Sequence, residues 1–134
     1  MASSDITIRA LFKKAGIVYC SSREELLSVG SIFHYKKLKG KNIAIITHAG
    51  GSAVMLADAL CSGGLNVPPI EGDEAKKLMT YLYPGSSVAN PIDFLATGTA
   101  EQLGTIIDYV DKYFDEIDAM VVIFGTPGLR EIYD

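Results

Sequence analysis

The stretch NIAIITHAGGSAVML, residues 42–56, decides the fold. Ile43-Ala44-Ile45-Ile46 is a continuous apolar run of strand length, the mark of a parallel strand buried on both faces. It breaks at Thr47-His48-Ala49-Gly50-Gly51-Ser52, and from Ala53 to Cys61 the composition is helical until Gly63-Gly64 ends it. Strand, small-residue loop and helix in that order form the first half of a βαβ unit.

Working towards the C-terminus, Leu65 to Pro68 is a proline-limited candidate for an edge strand, and residues 73–82 form a short helix. Asn90-Pro91-Ile92-Asp93-Phe94 reads as a short strand or strand entry. Thr99 with Gln102 three positions on forms a capping box, and Leu103, Ile106, Ile107, Val110 and Phe114 give the helix behind it an apolar stripe. Ala119 to Phe124 is a second buried strand, followed by a turn at Gly125-Thr126-Pro127-Gly128 and an unfinished helical start. Four strand candidates alternating with helices predict an α/β fold: an open parallel sheet, flavodoxin-like and cut short at its C-terminus.

Residues 1–41 have another character. Ile8, Leu11 and Phe12 lie at helical spacing before Gly16, and Ser21 or Ser22 caps a second helix with apolar Leu26, Leu27, Val29 and Phe33. A basic linker with Lys36, Lys37, Lys39 and Lys41 follows. The division is therefore a helical leader and linker over 1–41 and the sheet domain over 42–134, incomplete.

Composition narrows the function classes. Apolar residues make up 49% and charged residues 21% of the 134, which is a globular balance. The net charge of −4 leaves no basic stripe for nucleic acid. No apolar run reaches the roughly 20 residues that span a bilayer, and no signal peptide is visible, so no membrane is expected and the cytoplasm is the expected compartment. Cys20 and Cys61 read as reduced, buried small hydrophobes. There is no P-loop, no dinucleotide fingerprint and no histidine–carboxylate cluster to suggest a metal.

Ligands of open parallel sheets sit outside the carboxyl ends of the strands. Three loops fall there: Thr47–Ser52, Ala96–Thr99 and Gly125–Gly128. The helix opening Ser52-Ala53-Val54-Met55-Leu56 contains no acid, although helix N-termini commonly recruit one to answer their free N–H groups. Either those donors await an external phosphate or carboxylate, or Ser52 simply caps an apolar helix and water meets the rest.

Three strings in order resemble the NDP-forming acyl-CoA synthetases, including the ADP-forming acetyl-CoA synthetases: ITHAGGSAVMLADAL (46–60), SSVANPIDFLATGTAEQ (86–102) and VVIFGTPG (121–128). The family pattern is VTNAGGPGVLAADA, then NPxD before a small-residue loop, then an apolar strand ending in a small-residue turn. FKKAGIVYCSSREELL (12–27) resembles the segment preceding this domain, and the more distant succinyl-CoA synthetase β subunit shows a similar loop and helix. The resemblance implies an acid–thiol ligase that interconverts acyl-CoA, NDP and phosphate with acid, CoA and NTP through an acyl phosphate and a phosphohistidine. It implies that Gly50, Gly51, Ser52 and Ala53 face the phosphoryl or acyl anion and that Thr97, Gly98 and Thr99 flank it. His48, Asn90, Asp93, Gly125 and Thr126 would shape the site. His48 is read as a loop residue, since the family commonly has asparagine there and its phosphohistidine lies in a serine–histidine–threonine–glycine loop upstream of the region matching Asp5.

On this reading the chain holds no catalytic residue, no metal and no cofactor, and alone it is inactive. The intact enzyme would use CoA, ATP or ADP, and Mg, with CoA-binding and ATP-grasp domains as partners. Uncovered apolar sheet surface would drive self-association. Two alternatives stay open: a non-catalytic regulatory or acyltransferase-linked relative, and a small flavin-binding flavodoxin-like module.

Overall fold

A computed structural model describes residues 5–124, and the chain divides after Lys37 into two compact units. The first holds α1 (Asp5–Lys14) and α2 (Arg23–Ile32). Ser22 is the N-cap of α2: its Oγ accepts from the Glu25 N–H at 3.0 Å, and the Glu25 carboxylate accepts from the Ser21 N–H and hydroxyl at 2.6 and 2.7 Å. That box stabilises the helix locally, but neither α1 nor α2 has a buried residue. The expected stripe of α2 is therefore not a core stripe, for Leu26, Leu27 and Phe33 are 59%, 62% and 82% exposed.

The second unit holds β1 (Ile43–Thr47), α3 (Gly50–Ser62), α4 (Gly72–Met79), β2 (Ile92–Asp93), α5 (Ala100–Tyr113) and β3 (Ala119–Ile123). The sheet is parallel with order β2-β1-β3, the arrangement of a flavodoxin-like open sheet. β1 lies in the middle with all five residues buried, as its unbroken apolar run demands. Ala44 and Ile46 turn to one face and join Leu78 of α4, Ile92, Phe94, and Ile106 and Val110 of α5. Each of the larger side chains, from Ile46 to Val110, contributes about 1.5–3 kcal/mol by leaving water. α3 packs against β1 and buries Ala53.

Five features depart from expectation, and the first is β3: expected as a buried strand, it has no fully buried residue and Val122 is 39% exposed. Leu65–Pro68 is not a strand: one bridge, Asn42 with Asn66, is all that pairs there, because Pro68 and Pro69 have no N–H to extend it. Ala119–Ile123 is thus the third strand among the described residues, and the strand count is three where four were expected. The short helix starts at Gly72 and ends at Met79, earlier than 73–82. Neither cysteine is buried, Cys20 being half-buried and Cys61 exposed on a helix whose apolar composition gives it only one buried residue.

The α5 cap is as read. Thr99 Oγ1 accepts from the Gln102 N–H at 3.2 Å and Gln102 Oε1 accepts from the Thr99 N–H at 3.1 Å. Thr99→Ala should cost about 1 kcal/mol in urea unfolding, and a loss below a few tenths would mean that packing alone holds the end. Across α4 and α5, Tyr109 donates its hydroxyl to Glu74 Oε2 at 2.7 Å. That hydrogen bond, more than desolvation, pushes the phenol up to about 12. Its contribution is complete below the ordinary phenol value near 10 and fades as pH rises towards 12. Tyr109 should accordingly ionise near pH 12 in an alkaline absorbance titration, and Glu74→Gln should bring it back towards the ordinary phenol value near 10.

Candidate functional site

Register brings the strand ends together. Thr47 of β1 stands opposite Asp93 of β2 and Ile123 of β3, so the three strands end along one edge. Thr47, absent from the residues singled out in the sequence, shapes the first of them. It is fully buried, and its Oγ1 accepts from the Ala49 N–H at 2.9 Å and donates to the Ala49 carbonyl at 3.2 Å. A threonine closing an apolar strand two residues before a helix N-cap is the signal that could have found it.

α3 begins one turn earlier than its composition suggests. Its N-cap is Ala49, which has no side chain to cap with, and no acid lies in its first turn. Ser52 is therefore not the cap; it lies inside the first turn and its hydroxyl donates to the Ala49 carbonyl at 2.8 Å. The first N–H groups of a helix have no acceptor within it, and here no side chain of the helix supplies one.

The two glycines at this end have different reasons. A β-carbon on Gly50 would lie 2.7 Å from Oδ2 of Asp93, so the carboxylate of β2 sits against the start of α3. A β-carbon on Gly51 would meet nothing within 4 Å, and that residue is exposed. The acid missing from α3 itself is thus supplied across the sheet edge, with open space beside it at Gly51.

Asp93 is held from several sides. Its backbone exchanges both hydrogen bonds with Ser87 at 2.8 Å, and its Oδ1 accepts from the Leu95 N–H at 3.0 Å. Leu95 has φ of 68°, uncommon for any residue but glycine, and so turns the chain sharply at the strand exit. Gly98 N–H then donates to the Leu95 carbonyl at 3.0 Å. A β-carbon on Gly98 would lie 2.1 Å from the Phe94 ring and 2.6 Å from the Phe94 carbonyl. Gly98 is a packing glycine; exposed Thr97 and Thr99 flank it, and Thr99 is committed to its cap.

Asn90 stands further down the sheet than a loop residue would. Its Nδ2 donates to the Ile43 and Pro68 carbonyls at 2.8 and 2.9 Å, and its Oδ1 accepts from the Ile45 N–H at 2.8 Å. The side chain continues the edge of β1 where β2 has not yet begun. His48 is half-buried between Phe94 and Phe124, with ring centroids 6.3 and 5.6 Å away, and its Nδ1 lies 3.3 Å from the Ile123 carbonyl. It ties the β1 exit to the β3 exit. Gly125 and Thr126 lie outside the described residues.

The glycine loop, the Asn-Pro-x-Asp strand and the capped start of α5 all lie in one stretch that the Ligase-CoA domain model matches, residues 43–111. The chain belongs to the Ligase-CoA domain family. It is 33% identical over 101 residues to the alpha subunit of acetate–CoA ligase (ADP-forming) II of Pyrococcus furiosus, covering 75% of this chain and 22% of that protein. It is 32% identical over 127 residues to acetate–CoA ligase (ADP-forming) I of Archaeoglobus fulgidus, covering 95% of this chain and 18% of the relative. The chain thus spans about a fifth of the length of these relatives. The crystal structure of PH0766 from Pyrococcus horikoshii OT3 shares the fold, with a TM-score of 0.66 at 24% identity over 96% of this chain and 38% of that one. Among the described residues of this Ligase-CoA domain, no helix is long and apolar enough to cross a membrane.

Proposed function

We propose that this Ligase-CoA domain is the part of an ADP-forming acyl-CoA synthetase that holds the transferring phosphoryl group, or the acid's carboxylate, at the N-terminus of α3. The observation that carries the reading is the start of α3, with no capping side chain, no acid of its own and open space at Gly51. N–H groups there face outward from the edge where parallel sheets bind ligands. The identity with two acetate–CoA ligases supports a small carboxylic acid as substrate and ADP as nucleotide. In the reaction so assigned, acid, CoA and ATP exchange with acyl-CoA, ADP and phosphate through an acyl phosphate and a phosphohistidine. The histidine, the CoA site, and the nucleotide with its Mg belong to companion domains.

Within this reading Gly50, Gly51, Ser52 and Ala53 present backbone donors, Thr97 and Thr99 border them, and His48 and Asn90 hold the loops. Asp93 has the sharper role. Its carboxylate answers the positive end of α3 while the site is empty and repels an incoming anion, so the two compete. Phosphate added to the chain should shift the amide resonances of Gly50–Ala53. Gly51→Asp should abolish those shifts, because it places a second carboxylate in the open space. Asp93→Asn keeps the acceptor for Leu95 and removes the charge; at roughly 1 kcal/mol for two charges a few ångströms apart near water, it should tighten phosphate binding about fivefold. Shifts confined to Lys36–Lys41, or an unchanged affinity in Asp93→Asn, would sink the assignment.

A further inference from the structure

Beside β2, on the flank away from β1, residues 86–89, Glu71 and α4 border an open groove of about 520 Å³. Gly72, Ala75, Met79, Val88 and Ala89 make its wall largely apolar, and Ser86 lines it as well. Ser86 is 6% exposed, and its hydroxyl is the buried side-chain oxygen without a hydrogen-bond partner among the described residues. A hydroxyl buried unpaired is costly, whereas a buried polar group beside an apolar groove is how small-molecule sites fix the orientation of what they hold. The place in the fold matters equally. Ser87 pairs with Asp93 through both backbone bonds, so the groove lies at the carboxyl edge of the sheet, one backbone outward from the carboxylate that meets α3.

We propose that this groove is a subsite for the non-reacting aliphatic part of the acid or its acyl derivative, and that Ser86 pairs with a remote polar atom on that chain. The inference rests on the reading of α3 given above and names the substrate class: aliphatic acids longer than acetate. The volume is within the range of pockets that take small molecules and much exceeds what a two-carbon acid fills.

The test uses the whole 134-residue chain, labelled with ¹⁵N and titrated separately with acetate, hexanoate and 6-hydroxyhexanoate. Saturable shifts at Ala75, Met79 and 86–89 are expected with the two longer acids and not with acetate. The hydroxy acid should bind about fivefold tighter than hexanoate, a preference that Ser86→Ala removes. Ala89→Phe fills the groove from an exposed position and should abolish binding of both. Contacts from the ligand methylenes to the Met79 methyl, read by intermolecular NOE, settle the pose without any variant. Equal groove shifts with acetate, shifts surviving in Ala89→Phe, or no saturable shift would overturn the proposal. Phosphate shifts at Gly50–Ala53 are read on the same sample. If they are present and groove shifts absent, this inference fails alone; if absent while the groove binds, the reading of α3 fails instead.

Discussion

Asn90→Ala should destabilise the chain by about 4 kcal/mol in urea unfolding. The substitution leaves the Ile45 N–H and the carbonyls of Ile43 and Pro68 without their partner, at about 1–3 kcal/mol for each buried group so stranded. Water can reach part of this region, which keeps the total below the upper sum. Asn66→Ala is the control: its amide makes one exposed bond, to Asn42 Oδ1, and its removal should be worth less than about 0.5 kcal/mol. A loss under 1 kcal/mol at Asn90 would mean that β2 is placed by packing alone. Because Asp93 is fixed only after β2 is in register, phosphate shifts at Gly50–Ala53 should weaken in the same variant.

The second large effect is a contrast between two glycines. Gly98→Ala should cost about 3 kcal/mol or more, since the new methyl overlaps both the ring and the carbonyl of Phe94. Phe94 is 2% exposed and part of the core, so the ring cannot swing clear. Gly51→Ala meets open space within the first turn of α3 and should stabilise by a few tenths to 1 kcal/mol. Opposite signs in paired thermal melts are the expected result. A destabilising Gly51→Ala would show that its N–H environment tolerates no change in backbone freedom.

What was legible in the sequence was local. β1 showed itself as an unbroken apolar run, α5 by a capping box spanning three positions, and the end of α3 by Gly63-Gly64. The acid-free opening of α3 was equally plain, and the structure retains it. What stayed hidden depends on partners distant in the chain. Asn90 reaches β1 from 45 and 47 residues away, and Asp93 meets Gly50 only because two strands are in register. No spacing rule records either. Cys61 is exposed where composition predicts burial for the same reason, since an apolar composition does not tell which face of α3 has a neighbour. At Leu65–Pro68 the prolines do more than limit the strand to an edge, for they reduce it to a single bridge.

The side chain of Asn90 imitates a peptide unit, donating and accepting where a longer β2 would have done so. From there to Gln102 each turn is pinned within the segment or by one neighbouring backbone: Ser87 on Asp93, Asp93 on Leu95, Leu95 on Gly98, Thr99 on Gln102. Such a segment is modular. It needs from its host an open parallel edge with a free carbonyl and a free N–H two residues apart, a further carbonyl where Pro68 stands, and an apolar bed for Ile92 and Phe94. Residues 87–102 could therefore be transplanted onto a parallel sheet that offers these partners and still deliver a carboxylate to the start of the adjoining helix. By the same logic, drift elsewhere leaves that delivery intact so long as the asparagine, the aspartate, Gly98 and the apolar bed under Ile92 and Phe94 persist.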